Sequence, residues 1–101
     1  MSDSRTAAWS EAEWSVYKNV RAFVADAADV SIDQVEPATD IYEELEVDSL
    51  GFVLIFINLE ETFGISGPEN FEELGPTLKT PADIVEFALA LAGGKKRSAD
   101  G

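Results

Sequence analysis

Two of the side chains that most often do chemistry in proteins are missing from this sequence: its 101 residues contain no Cys and no His. Their absence excludes a disulfide framework, a thiolate metal site and a cysteine nucleophile. It also excludes the usual general base, the Ser-His triad and the common zinc ligands. Carboxylates are in excess, with 20 Asp and Glu against 7 Lys and Arg and a formal net charge of −13. Paired carboxylates can do acid–base work, but no spacing here singles out a pair, and no D-x-[DN]-x-[DN]-G run offers a calcium loop. One short segment has a chemical reading, Asp48-Ser49-Leu50, at the end of an acidic stretch and the start of an apolar one. A helix N-terminus carries unsatisfied N–H groups and the positive end of the helix dipole. A phosphate ester on the Ser49 hydroxyl would be well placed there. The plainer reading of Asp48 and Ser49 is an N-cap pair, and the tripeptide does not choose between them.

The elements that must position this segment can be read from periodicity. Ser10-Glu11-Ala12-Glu13 fits a capping box and predicts a first helix from Ser10 to Ala28. Val16, Val20, Phe23, Val24 and Ala27 form its buried stripe, widened by Trp14 and Tyr17. Residues 29–48 form a long connection whose anchors Ile32, Val35, Ile41, Tyr42 and Leu45 should pack it across the helices. A second helix is expected from Asp48 or Ser49 to Phe63, stopped by Gly64, with Ile55, Leu59 and Phe63 on one core face. Its first half, from Leu50 to Ile57, is apolar nearly all round, so part of it should be exposed and available for contact. A turn over Ser66–Asn70 precedes a short helical piece at Phe71–Leu74. Thr80-Pro81-Ala82-Asp83 then starts a last helix whose apolar face is Ile84, Val85, Ala88 and Leu91 and whose stop is Gly93.

The expected fold is therefore all-α: a small four-helix bundle, three main helices plus a short third one, with a long loop between helices 1 and 2. Residues 1–9 and 93–101 read as flexible tails around a domain at 10–92. The N-terminus lacks the apolar core of a signal peptide, and no stretch is apolar enough to span a membrane, so a cytoplasmic protein without membrane insertion is expected; a monomer is expected as well. Residues 22–78 contain no Lys or Arg and hold 14 of the 20 acids. Such a charge disfavours nucleic acid and favours basic protein surfaces as partners.

The run Thr39-Asp40-Ile41-Tyr42-Glu43-Glu44-Leu45-Glu46-Val47-Asp48-Ser49-Leu50 resembles the approach to the modified serine of acyl carrier proteins, whose form is close to T-D-L-x-x-D-L-G-x-D-S-L. Leu59-Glu60-Glu61-Thr62-Phe63-Gly64-Ile65 resembles the family's L-E-E-x-F-x-I helix end, and Thr80-Pro81-Ala82-Asp83-Ile84-Val85 its T-x-x-D-V-V helix start. The likeness covers roughly residues 12–91. It implies a carrier rather than an enzyme. Ser49 would receive a 4′-phosphopantetheine arm from coenzyme A, with Asp48 beside it, through a Mg²⁺-dependent phosphopantetheinyl transferase. Acyl groups would travel as thioesters on the arm, presented to an acyltransferase, a ketosynthase or other acyl-processing enzymes of fatty-acid or polyketide synthesis. Such acyl chains can fold back between the helices.

Three departures from the family pattern shape the expectations. Glu46 stands where the family has Gly. Gly51 and Leu54 stand where the second helix usually carries acids, so partner contact should be more apolar, through Leu50, Val53, Leu54 and Ile57, with Glu60 and Glu61 at the far end. The stretch from Phe63 to Thr80 is longer than typical. Asp rather than His before the serine leans toward an acyl carrier over a peptidyl one. A peptidyl, aryl or D-alanyl carrier, or an acidic interaction module with an unmodified Ser49, are the alternative readings.

Overall fold

A computed structural model describes residues 6–65 and 71–100 of the chain. All regular structure among them is helical: α1 (Glu11–Ala28), α2 (Ser49–Phe63), the single turn α3 (Phe71–Leu74) and α4 (Pro81–Asp100), with 3-10 turns at Thr6–Ala8, Ile32–Gln34 and Gly75–Thr77. The ends of these helices follow local chemistry. At the start of α1 the Glu13 carboxylate accepts from the Ser10 N–H at 2.6 Å and the Ser10 hydroxyl at 2.7 Å. These bonds hold the Glu13 carboxyl below the usual carboxylate range. At its end Asp29 turns left-handed (φ 59°), and the Val30 N–H closes on the Ala25 carbonyl at 3.0 Å. Gly64 (φ 65°) ends α2 as expected, its N–H donating to the Glu60 carbonyl at 2.9 Å.

The core is built from one face of each long helix. Val20 and Val24 of α1, Ile55, Phe56 and Leu59 of α2, and Ile84 and Val85 of α4 are fully buried, and α1 packs against both α2 and α4. The long connection is stitched down, as its anchors predict. Val35 and Ile41 are fully buried, the Ile41 N–H donates to the Lys79 carbonyl at 2.8 Å, and the Ala82 N–H donates to the Pro37 carbonyl at 3.0 Å. The Val35 carbonyl accepts from the Tyr17 hydroxyl at 3.2 Å and from Arg21 Nε at 2.9 Å. Backbone groups at Val35, Pro37 and Ile41 of this twenty-residue connection thus find partners on α1 and at the approach to and start of α4.

Several expectations are corrected. Trp14 lies outside the core, exposed and edge-on to Trp9 with ring centroids 4.8 Å apart. The preceding chain curls back and supplies an aromatic neighbour there. Ile32, taken as an anchor, is exposed in its 3-10 turn. Phe63 is half-buried rather than in the core. Within the expected N-terminal tail, Thr6–Ala8 form a turn and Trp9 packs on the core, with its indole N–H 3.5 Å from a Glu86 carboxylate oxygen. Helix α4 does not stop at Gly93 but continues to Asp100. A glycine in a helix already nucleated costs only about 1 kcal/mol, too little to end it. The turn expected at 66–70 lies outside the described residues.

Candidate functional site

The segment carrying Ser49 is assembled by a sequence of local turns. The Asp40 carboxylate accepts from the N–H groups of Tyr42 and Glu43, both at 2.9 Å, and opens a turn over 41–45. The turn is closed by Glu46 N–H on the Tyr42 carbonyl at 3.1 Å and Val47 N–H on the Ile41 carbonyl at 2.9 Å. That closure needs a left-handed residue, and Glu46 supplies it with φ 59°. A family glycine would do this without strain, whereas Glu bears about 1 kcal/mol or more of it. Val47 is buried, and Asp48 then caps α2 by accepting from the Gly51 N–H at 2.8 Å.

Gly51 is more than a missing acid. It is buried, and a Cβ there would lie 3.1 Å from Val47 Cγ1 and 3.3 Å from the capping Asp48 oxygen. The glycine lets the loop close down on the first turn of α2. The sequence alone does not show this, because the approach of Val47 is tertiary.

With the cap supplied by Asp48, Ser49 is the first residue of α2 and is exposed, and among the described residues no hydrogen-bond partner is found for its hydroxyl. It opens onto a pocket of about 670 Å³, walled by Leu50, Phe52 and Val53 of α2, by Tyr42 of the acidic turn, and by Gly75 and Pro76. Ligand pockets fall at about 300–1,000 Å³ and are mostly apolar with few polar groups. Among the described residues the polar side-chain groups here are the Ser49 hydroxyl and that of Tyr42, which donates to the Gly75 carbonyl at 2.7 Å. Burial pushes the Tyr42 phenol up, and Asp40 nearby adds to the rise, so it remains a donor at neutral pH.

On the outer face of α2, Leu50, Leu54 and Ile57 are 66%, 45% and 41% exposed, with half-buried Val53 between them. Their three- and four-residue spacing makes one apolar strip leading away from Ser49. Glu60 is half-buried and Glu61 exposed at its far end. Glu43, Glu44, Glu46 and Asp48, all exposed, make the other side of Ser49 acidic. The predicted site residues thus lie along one helix. Of the two residues outside α2 that meet at the pocket wall, Tyr42 was legible only as a loop anchor and Gly75 was not singled out. The one signal was a tyrosine whose phenol would need a partner when packed.

Among the described residues, no group of three or more acids could hold a metal ion, and no helix is long and apolar enough to cross a membrane. An exposed hydroxyl at a helix N-terminus, next to an apolar pocket, suits a phosphodiester-linked arm whose cargo is apolar.

The family model for the phosphopantetheine attachment site matches residues 18–87. The chain is similar to an acyl carrier protein of Thermosynechococcus vestitus, 36% identical over 72 residues, which cover 71% of this chain and 85% of that protein. It is also similar to acyl carrier proteins of Helicobacter hepaticus, 32% identical over 74 residues covering 73% of this chain and 93% of that one, and of Rubrobacter xylanophilus, 31% identical over 70 residues covering 69% and 86%.

Proposed function

The chain belongs to the phosphopantetheine attachment-site family of acyl carrier proteins, and from that premise we propose that Ser49 is the residue that bears the arm. It is a carrier and not an enzyme, and its prosthetic group is covalent 4′-phosphopantetheine. When bound, that group supplies a terminal thiol on which acyl groups are carried as thioesters, the thiol that a chain without Cys lacks.

The observation that carries the assignment is the exposed Ser49 hydroxyl, released from capping duty by Asp48 and set at the mouth of an apolar pocket. Asp48 fixes the first turn of α2, so the hydroxyl is presented at a defined place to a phosphopantetheinyl transferase. The helix N-terminus favours the phosphodiester charge. Walls of Leu50, Phe52 and Val53 keep water from the apolar part of the cargo. Tethering gives each partner enzyme a high effective concentration of cargo.

The cargo is read as acyl intermediates of fatty-acid or polyketide synthesis, passed to acyltransferase, ketosynthase or related enzymes. The Asp preceding Ser49 supports an acyl over a peptidyl carrier. A cytoplasmic monomer and the four-helix bundle of carrier domains belong to the same reading. Partner contact is assigned to Leu50, Val53, Leu54 and Ile57, with Glu60 and Glu61 adding charge. The exposed apolar strip supports this, because such strips mark contact surfaces.

Co-expression with a broad-specificity transferase, followed by intact mass, tests the attachment. Wild type should gain the arm and Ser49→Ala should not. For the strip, Leu54→Glu should leave the helical circular dichroism unchanged, because Leu54 is exposed, and should alter turnover by an acyl-processing partner. Lost helicity would place Leu54 in the core instead.

A further inference from the structure

Among the described residues, the wall of the pocket beside Ser49 contains one polar side chain that α2 does not provide. The Tyr42 hydroxyl joins the Gly75 carbonyl, 33 residues away, at 2.7 Å. Both ends of this bond are fixed. Tyr42 is held by its N–H on Asp40 and by its carbonyl under the Glu46 N–H, and its ring lies 6.5 Å from that of Phe52. Gly75 is buried, and a Cβ there would come within 3.3 Å of the Tyr42 oxygen and 3.6 Å of the Phe52 ring. The phenol therefore bridges the acidic turn and the 3-10 turn after α3, with the pocket bounded by both.

We propose that Tyr42 sets the size of the acyl group that this carrier shelters beside Ser49. The ring and its bond to Gly75 form the part of the pocket wall that α2 does not supply, and an acyl group that outgrows the space within these walls leaves its outer carbons in water. The favoured cargo is an aliphatic group of limited length, since the walls at Leu50, Phe52, Val53 and Pro76 are apolar and the Tyr42 hydroxyl already donates to Gly75. This proposal rests on the reading of Ser49 as the attachment residue.

The full chain and its variants are loaded by a phosphopantetheinyl transferase from coenzyme A thioesters of straight saturated acids of increasing length. Intact mass confirms each product, and the thermal midpoint of each loaded form is compared with that of the form bearing the bare arm. In wild type the midpoint should rise with acyl length, by several degrees in all, and then level off, because only sheltered carbons stabilise the fold. Tyr42→Ala should move the levelling point to longer acids. Tyr42→Phe, which keeps the ring and loses the bond to Gly75, should move it in the same direction by less. Gly75→Ala should move it to shorter acids. If Tyr42→Ala does not fold, the Phe and Gly75 variants still carry the test. Proteins that load but level off at one common length, or show no dependence on length, would overturn the role of Tyr42 alone. Wild type that takes no arm would overturn the Ser49 reading and this proposal with it.

Discussion

Helices α2 and α4 start with the same parts and use them differently. At α4, Thr80 Oγ1 accepts from the Asp83 N–H at 3.1 Å, while the Asp83 carboxylate accepts from the N–H groups of Lys79 and Thr80. Hydroxyl and acid are both engaged in the cap, and Pro81 behind them is fully buried. At α2, Asp48 alone supplies the cap and the following Ser49 is left exposed. The surroundings differ in the same sense: the α4 start is tied to the long connection through Ala82 on Pro37, whereas the α2 start borders an open pocket. One helix start uses its hydroxyl in the cap, and the other leaves its hydroxyl exposed. The comparison also explains Gly51, which lets Val47 and Asp48 settle on α2 without enlisting Ser49.

The largest expected effect on this contrast comes from filling the space at Gly51. Gly51→Leu should destabilise the fold by about 1–3 kcal/mol through overpacking against Val47 and Asp48, read as a lower denaturation midpoint. It should also slow attachment by the transferase, because the cap is displaced. An unchanged midpoint would show that the loop does not need this close approach.

Next come the two caps. Thr80→Ala and Asp48→Ala should each cost about 0.5–2 kcal/mol, as lost N-caps do, measured by chemical denaturation. They should part company in the rate of arm attachment, which falls for Asp48→Ala and stays unchanged for Thr80→Ala. Equal attachment rates would erase the distinction between the two helix starts.

The smallest effect concerns Glu46. Glu46→Gly should stabilise the protein by roughly 1 kcal/mol, by relieving a left-handed non-glycine residue against some gain of freedom in the unfolded chain. A loss of stability would mean that the Glu46 side chain contributes more than its backbone strain removes.

What the sequence revealed follows from how local each interaction is. The limits of α2 and the start of α4 were legible, because Asp48, Gly64, Thr80, Pro81 and Asp83 act within one helical turn. The fully buried faces of α1, α2 and α4 were legible from spacing. Trp14 and Ile32 were misjudged because apolar character does not say whether a neighbour covers it. Gly93 looked like a stop because glycine often ends helices, but α4 continues past it. At the site, Ser49 and Asp48 stood out from their order along the chain. The pocket did not, because Tyr42 and Gly75 meet across 33 residues and the Gly51 contact depends on how the long loop closes.

The most direct test of the central claim is to map the arm to a residue. Protein co-expressed with a phosphopantetheinyl transferase is digested, and the peptide bearing the added mass is sequenced by fragmentation. The arm should sit on Ser49 and be absent from every peptide of Ser49→Ala, with that variant retaining the wild-type thermal midpoint. An arm on another residue, or no arm on the folded wild-type protein, would contradict the assignment.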